Sequence, residues 1–301
     1  MLGVFFMGMK LLFIYNPHSG KGMIKNHLSD IMDLLIKAGY TVTVYATQYQ
    51  GDAEDKARQE AGNFDRIICS GGDGTLDEVV TGIMSSGHKV PVGYIPAGST
   101  NDFGNSLGID KDMLKAAQIA ATGHPLAIDI GKFGETNFVY VAAFGIFTEV
   151  SYQTSQQLKN TIGHTAYLLE AIKQLRDIKS YRMQVEYDGN VLYDEFIYGM
   201  ITNTKSVGGI KGIIPGDISL SDGKFEVTLI KAPKNPIELN EIVQTLAGPR
   251  EESELVYSFQ ADHLVLKATE NVPWTLDGEY GGAPSVVEIV NLHHAMEIMV
   301  E

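Results

Sequence analysis

Three glycine-rich segments follow short apolar runs, and their residue types suit the binding of phosphate groups. Glycine lets backbone N–H groups approach phosphate oxygens, and serine or threonine hydroxyls can donate to the same oxygens. The GxxxxGK[ST] spacing of a Walker A loop does not occur. Each segment taken alone could also be an ordinary glycine turn or a helix cap. The segments are Asn16-Pro17-His18-Ser19-Gly20, Ser70-Gly71-Gly72-Asp73-Gly74-Thr75 and Pro96-Ala97-Gly98-Ser99-Thr100-Asn101-Asp102-Phe103.

Carboxylates accompany these segments and offer a second kind of chemistry. Asp73 could hold a metal ion, order a phosphate-bound water or cap the helix that follows. Far downstream, Asp277 and Glu279 flank Gly278. A carboxylate can remove the proton of an acceptor hydroxyl during group transfer, whereas a neutral hairpin turn explains Asp-Gly equally well. The residues alone leave both interpretations open.

Composition limits the classes of protein that the chain can be. Its 301 residues predict about two domains. The 23 basic and 37 acidic side chains give a net charge of −14, which opposes binding to nucleic acid. Cys69 is the single cysteine, so an intrachain disulfide and a thiolate-rich zinc site are excluded. Because Cys69 ends an apolar run, we expect a buried structural thiol rather than a nucleophile.

The first part of the chain alternates short apolar runs with amphipathic stretches, which predicts an α/β domain. Parallel strands covered by helices bind ligands at their carboxyl ends, where the three glycine-rich segments fall. We predict strands at 10–15, 40–46, 65–69 and 90–95, and helices at 23–38, 52–61, 75–84 and 111–122.

After Pro125 the pattern changes to successive short strands, which predicts a mainly β sandwich or barrel. Helices are expected at 156–179 and 236–247. The predicted strands are 127–131, 138–143, 182–187, 195–201, 224–230, 254–260 and 263–268.

The beginning of the chain has neither a basic segment nor a small-residue cleavage site, so a signal peptide is not expected. Residues 1–8 are expected to be a dispensable extension ahead of the first strand. No apolar stretch approaches the roughly 18 residues that span a bilayer. A cytoplasmic protein is therefore expected.

Taken together, these motifs resemble those of the diacylglycerol kinase catalytic family, specifically the bacterial lipid kinases. The segment Gly71-Gly72-Asp73-Gly74-Thr75 is shared with NAD kinases, whereas the Pro96 to Phe103 segment is more discriminating. The Asp277-Gly278-Glu279 element completes the pattern. The resemblance runs from Lys10 to the end of the chain.

The resemblance implies a three-layer nucleotide-binding domain, similar to NAD kinase and phosphofructokinase, followed by a β-sandwich domain for the lipid. The expected domains are 9–127 and 128–289, with 290–301 returning to the first. It implies that ATP meets the lipid in a cleft and that Asp277 or Glu279 is the base, with Asp73 ordering catalytic Mg²⁺. ATP contacts are implied at Asn16, Pro17, His18, Ser19, Gly20, Thr47, Gly71, Gly72, Asp73, Gly74, Thr75, Leu76, Asp77, Ser99, Thr100, Asn101 and Asp102.

The resemblance also implies a structural Mg²⁺ site at Ser219, Asp222 and Lys224, where the first and last would contribute backbone oxygens. Without it, the surrounding Ser-Asp-Gly sequence would be interpreted as a hairpin turn. Two residues depart from the family pattern. Asp77 replaces a common Asn, and His164 replaces a residue that is commonly basic.

The sequence therefore predicts an ATP-dependent lipid kinase that phosphorylates the hydroxyl of diacylglycerol or a related lipid. The basic stretch at 159–182 could bring the protein to the inner membrane face, although a solvated helix face explains it equally well. The alternatives are a kinase of the NAD kinase type and an inactive nucleotide-binding regulator. The oligomeric state is left open, with a homodimer as one expectation.

Overall fold

The computed structural model describes residues 8–146, 179–204, 206–207, 210–211, 219–247 and 253–301. The predicted helix at 156–179 lies outside these ranges except for its last residue, as do His164 and most of the basic stretch. The chain forms two compact units. Unit 1 comprises Met1–Ile128 and His294–Glu301, and unit 2 comprises Asp129–His293.

Unit 1 contains a parallel sheet whose first strand is buried on both faces. Residues Leu11 to Ile14 have no exposed surface, as expected for a strand covered by helices on each side. The strand order is β2-β1-β3-β4. These strands are β1 (Met9–Tyr15), β2 (Tyr40–Ala46), β3 (Arg66–Gly71) and β4 (Val92–Pro96).

The helices of unit 1 connect these strands and pack in pairs. They are α1 (Ile24–Lys37), α2 (Asp52–Glu60), α3 (Asp73–Ser86), α4 (Asp102–Ser106) and α5 (Met113–Thr122). Helix α1 packs on α5, and α2 packs on α3. Gly82 permits the second approach, because a Cβ atom there would lie 2.3 Å from the carbonyl oxygen of Glu54. Short 3₁₀ helices span Ser19–Gly22 and Ala61–Asn63.

Unit 2 is built mainly from antiparallel strands, with one described helix, α6 (Pro236–Ala247). Two strands belong partly to each unit, β5 (His124–Phe133) and β17 (Val286–Val300). The others are β6 (Thr136–Phe138), β7 (Val141–Gly145), β8 (Tyr181–Tyr187), β9 (Asn190–Thr202), β10 (Ser206–Val207), β11 (Ile210–Lys211), β12 (Phe225–Lys231), β13 (Val256–Ala261), β14 (His263–Ala268), β15 (Trp274–Leu276) and β16 (Glu279–Tyr280).

The long strand β9 contributes to both layers of a sandwich. Its first half pairs with β8, which continues to β14 and β17, whereas its second half pairs with β7 and β12. Strand β15 extends the second layer beyond β7, and β13 extends it beyond β12. Trp274 lies in the core between the layers, with its ring 4.8 Å from that of Phe144 and 5.0 Å from that of Phe133.

The predicted fold class, an α/β domain followed by a β sandwich, is confirmed. Helix α4 and strands β15 and β16 were not predicted, and two of the predicted elements have different bounds that bear on the site. The strand predicted at 138–143 is divided into β6 and β7, because the chain turns aside at Val139 and Tyr140. The strand predicted to end at Cys69 extends to Gly71 and the helix predicted from Thr75 begins at Asp73, so Gly72 alone separates β3 from α3.

Candidate active site

The turn after β1 is held against the ends of the neighbouring strands. The Asn16 backbone N–H donates to the Ser70 carbonyl at 2.9 Å, and the Asn16 side chain accepts from the His18 N–H at 2.9 Å. Gly20 has φ +54°, and a Cβ atom there would lie 2.0 Å from the Ala97 carbonyl oxygen. Glycine is therefore required where the turn after β1 meets the turn after β4.

The turn between β3 and α3 also depends on close backbone approach. The Ala97 N–H donates to the Gly71 carbonyl at 2.7 Å, and a Cβ atom at Gly98 would lie 2.6 Å from Gly72 Cα. The N–H groups of Thr75 and Leu76 donate to the Gly72 carbonyl at 3.1 and 3.2 Å, and this helix end carries partial positive charge, so it can attract phosphate. The predicted site residues Thr75, Leu76 and Asp77 belong to α3.

Asp73 connects the turn after β3 to the turn after β4. Its carboxylate accepts from the backbone N–H groups of Asp102 and Phe103, at 3.1 and 3.3 Å, and from the Thr100 hydroxyl at 3.2 Å. Burial raises the pKa of the Asp73 carboxyl, and the charge of Asp102 adds to this effect, while the hydrogen bonds oppose it. Because Asp102 and Phe103 begin α4, the Asp73 carboxylate caps α4 and not α3, the helix on which it lies. A divalent cation would relieve the repulsion between these two carboxylates.

Asn101 braces the turn after β4 from inside. It has φ +50°, and its side chain accepts from the Gly98 N–H at 2.8 Å and donates to the Gly98 carbonyl at 2.9 Å. The Tyr94 hydroxyl lies 3.3 Å from Asn101 Oδ1 and 3.2 Å from the Gly71 carbonyl oxygen. Ser99 and Thr100 are exposed at the tip of the braced turn. Nothing in the sequence singled out Tyr94.

The turn after β2 is fixed by a residue that the sequence analysis missed. Thr47 is buried, and its N–H donates to the Tyr15 carbonyl at 3.0 Å. Glu78, on α3, accepts from the N–H groups of Gly51 and Ala53 at 2.8 and 3.2 Å. This carboxylate therefore ties the start of α2 to α3. All the predicted nucleotide residues thus lie on four adjacent turns of unit 1 or on the helices that follow them.

In unit 2, the Asp277-Gly278 turn joins β15 to β16. The two residues have φ +50° and +91°, which is the type I′ geometry of a tight hairpin. The position of the hairpin is set by Trp274 in the core and by the pairing of β15 with β7. The turn interpretation of Asp-Gly was therefore correct, and it does not exclude a functional role.

Asp277 and Glu279 have opposite surroundings within this hairpin. Asp277 is 6 % exposed, and its carboxylate accepts from three successive N–H groups, those of Val139, Tyr140 and Val141, at 2.5, 3.0 and 2.8 Å. These bonds explain why the chain turns aside between β6 and β7. Glu279 is exposed. The sequence could not say which of the two carboxylates is the base, and the structure shows that they differ in exposure to solvent.

The segment at 219–224 precedes β12. Asp222 and Lys224 are exposed, and Asp222 Oδ1 accepts from the Lys224 N–H at 3.1 Å. The buried Asp129 carboxylate accepts from the Gly223 N–H at 2.6 Å and holds the segment in place. Together with carbonyl oxygens of Ser219 and Lys224, the Asp222 carboxylate gives the all-oxygen donor set that Mg²⁺ prefers, so these residues fit the ion.

Glycine turns at the carboxyl ends of a parallel sheet, followed by a β sandwich that presents an acidic hairpin, define a phosphate-handling enzyme of the kinase type. Two family models match the chain. Residues 10–133 match the diacylglycerol kinase catalytic domain, and residues 141–299 match the YegS C-terminal NAD kinase beta sandwich-like domain.

Relatives match over almost the whole chain. A diacylglycerol kinase of Bacillus subtilis is 35% identical over 289 residues, covering 95% of this chain and 94% of the relative. One of Staphylococcus carnosus is 38% identical over 275 residues, covering 89% and 88%. A Bacillus anthracis crystal structure described as a candidate diacylglycerol kinase superposes with TM-score 0.84 at 25% identity, covering 98% and 97%. The chain belongs to the diacylglycerol kinase family.

Membership of this family confirms the prediction of a lipid kinase, an enzyme class that uses ATP. The comparisons give no support for the NAD kinase or regulator alternatives over it. Within the part of the chain that the structure describes, no helix is long and apolar enough to cross a membrane.

Proposed function

We propose that the protein transfers the γ-phosphoryl group of ATP to the hydroxyl of diacylglycerol or a related lipid, giving a product of the phosphatidic acid type. Unit 1 would bind ATP and unit 2 the lipid, with the domain boundaries near residues 128 and 290. The observation that carries the proposal is the pair of glycine-rich turns after β3 and β4 in unit 1, which Asp73 and Asn101 brace, together with the exposed Glu279 on the hairpin that Asp277 holds in unit 2.

We assign the base to Glu279 and a positioning role to Asp277. The Asp277 oxygens already accept three hydrogen bonds, so protonating this carboxylate would disrupt at least one of them. Glu279 is exposed, so an acceptor hydroxyl can approach within the roughly 3 Å that proton transfer needs. It would take the proton as the lipid oxygen attacks phosphorus. Asp277 would keep the hairpin in the orientation that presents Glu279.

The residues of unit 1 would hold the triphosphate. Backbone N–H groups and hydroxyls at the four turns would bind its oxygens, and Asp73 with Asp102 would hold Mg²⁺, which supplies charge neutralisation when bound. Asn101 would act by bracing its turn. A second Mg²⁺ at Ser219, Asp222 and Lys224 would be structural. The other proposed ATP residues are Asn16, Pro17, His18, Ser19, Gly20, Thr47, Gly71, Gly72, Gly74, Thr75, Leu76, Asp77, Ser99 and Thr100.

We propose that the enzyme is cytoplasmic and acts at the inner membrane face, since a lipid acceptor resides in a bilayer. Assembly as a homodimer is a further expectation. We propose no nucleic-acid partner, because the net charge of −14 disfavours binding to phosphate backbones. Flotation with anionic vesicles and sedimentation would test the two expectations separately.

The kinase assay that tests the assignment uses purified protein, Mg²⁺, ATP and diacylglycerol in mixed micelles. Glu279→Gln should lower kcat by about 10²- to 10⁴-fold, the usual contribution of a general base, and should leave ATP binding intact. Glu288→Gln, an exposed carboxylate change on β17, should behave as wild type. Absence of lipid phosphorylation by the wild type would disprove the function. Full activity of Glu279→Gln would disprove only the assignment of the base.

A further inference from the structure

The turn between β2 and α2, residues 47–51, is held by a carboxylate from another helix. Gly51 stands at the N-terminus of α2 with φ +88° and has no side chain to cap the helix. The first N–H groups of an α-helix lack acceptors within the helix and need others. Glu78 of α3 supplies them, since Oε1 accepts from the Gly51 N–H at 2.8 Å and Oε2 from the Ala53 N–H at 3.2 Å. Helix α2 is therefore capped by α3.

Close packing between α2 and α3 keeps Glu78 in this position. Glu78 and Gly82 are four residues apart on α3, so they lie on the same face of the helix. Gly82 lets that face approach α2, because a Cβ atom there would lie 2.3 Å from the Glu54 carbonyl oxygen. The position of Glu78 is thus set by the packing of the helices, and its carboxylate in turn sets the position of the 47–51 turn.

The other end of the turn is attached to β1 and to α2. The Thr47 N–H donates to the Tyr15 carbonyl at 3.0 Å. The buried Asp52 carboxylate accepts from the Gln48 N–H at 2.7 Å. The turn therefore begins at fixed strands and ends at a bond to α3, the helix whose first turn carries predicted ATP contacts. Loss of the Glu78 carboxylate would free the end of the turn and leave its beginning in place.

Charges around this turn oppose the binding of a triphosphate. The first turn of α2 carries the carboxylates of Asp52, Glu54 and Asp55. Glu78 brings a further one to the same helix end. Arg58 pairs with Glu54 and Asp55 and offsets part of this charge. Carboxylates at a helix N-terminus occupy the positive end of the dipole, where phosphate would otherwise bind. The turn after β2 is therefore suited to an uncharged part of a nucleotide.

The sheet order sets this turn apart from the turn that begins α3. The strands follow the order β2-β1-β3-β4. Neighbouring strands lie about 5 Å apart, so the end of β2 is about 10 Å from the end of β3. At the start of α3, the Asp73 carboxylate is turned towards α4. A nucleotide with its triphosphate at the glycine turns can therefore extend along the row of strand ends and place its nucleoside at the 47–51 turn.

We infer that Glu78 is a positioning residue for the nucleoside half of ATP. It acts through the 47–51 turn, which it holds at Gly51 and Ala53, and its charge keeps phosphate away from that turn. The inference rests on the ATP-binding part of the proposed function. It narrows that part, because the turn after β2 contacts the nucleoside, and the glycine turns after β1, β3 and β4 hold the triphosphate.

The test compares the binding of Mg²⁺-ATP with that of Mg²⁺-tripolyphosphate to the full chain, by calorimetry. Glu78→Ala should weaken ATP binding about tenfold, the scale of one hydrogen bond to a charged group, and should leave tripolyphosphate binding unchanged. In the kinase assay the same variant should raise the KM for ATP and keep the wild-type kcat.

Asp112→Ala is the matched control, because Asp112 also accepts two N–H bonds at a helix N-terminus. Its carboxylate accepts from the N–H groups of Leu114 and Lys115 of α5 at 2.9 and 3.2 Å. Both variants should lower the unfolding temperature, since each removes a cap. Asp112→Ala should nevertheless bind ATP and tripolyphosphate as the wild type does. The control thus separates a positioning role from a general loss of stability.

Glu78→Gln keeps one acceptor oxygen, so its ATP affinity should lie between those of the wild type and Glu78→Ala. It also serves if Glu78→Ala does not fold. Wild-type ATP affinity in both Glu78 variants, equal weakening of ATP and tripolyphosphate, or weaker ATP binding by Asp112→Ala would each overturn the positioning role. A wild type that binds ATP but phosphorylates no lipid would instead overturn the proposed lipid kinase function and leave the role of Glu78 standing.

Discussion

Asp277 and Asp188 occupy the same position in two Asp-Gly hairpin turns, but their carboxylates have different roles. Both residues have positive φ, at 50° and 46°, and each precedes a glycine in the same region. Asp188 is exposed, whereas Asp277 is buried and accepts three backbone hydrogen bonds. The hairpin turn therefore explains why Asp is followed by Gly at both places. The backbone N–H groups of Val139 to Val141 explain why only the Asp277 carboxylate is buried and hydrogen-bonded.

Asp277→Asn should lower the free energy of unfolding by about 1–3 kcal/mol, because an amide N–H₂ would face one of the three N–H donors. Asp188→Asn should change it by less than about 0.5 kcal/mol, since Asn tolerates positive φ and the site is exposed. Urea denaturation followed by circular dichroism measures both values. Equal effects of the two substitutions would show that the three backbone hydrogen bonds to Asp277 do not stabilise the fold.

At the scale of elements, periodicity indicated the four strands and the longer helices of unit 1, since Leu11 to Ile14 of β1 form an apolar run and α1 buries one face, but it did not indicate the short helix α4. The three glycine-rich segments also follow strands, as their place after apolar runs indicated. Long-range partners were not predictable. No sequence pattern shows that Asp73 would cap α4 or that Asp277 would divide the strand expected at 138–143, because these bonds join residues 29 or more positions apart.

The turns after β3 and β4 pack by direct backbone contact. A methyl group added at either Gly72 or Gly98 should therefore weaken ATP binding more than it lowers the free energy of unfolding. A methyl group at Gly98 would lie 2.6 Å from Gly72 Cα, whereas one at Gly72 would lie 3.4 Å from Gly98 Cα. Neither glycine has positive φ, so steric contact alone distinguishes them. Gly98→Ala should raise the KM for ATP about tenfold or more, and Gly72→Ala should raise it less. The reverse order in steady-state kinetics would contradict this packing.

At the scale of the whole molecule, the chain enters unit 1 twice. Met1–Ile128 supplies four parallel strands, and His294–Glu301 returns after unit 2 has been traversed. The end of β17 pairs in parallel with β4, where Ile298 lies opposite Val92. The sheet that carries the glycine turns is therefore incomplete until the last residues are in place.

Ile298→Ala should destabilise unit 1 by about 2–5 kcal/mol, the cost of a cavity at a fully buried aliphatic side chain. The neighbouring Glu297 is exposed, so Glu297→Ala should cost little and serves as the control. Because ATP binds the folded unit, saturating ATP should stabilise both proteins, and the loss should be as large with ATP as without it, or larger if the altered β4 weakens ATP binding at the turn at Pro96 to Asn101. Urea unfolding with and without Mg²⁺-ATP measures this difference. If Ile298→Ala unfolds like Glu297→Ala, the returning strand does not stabilise the sheet that carries the nucleotide turns.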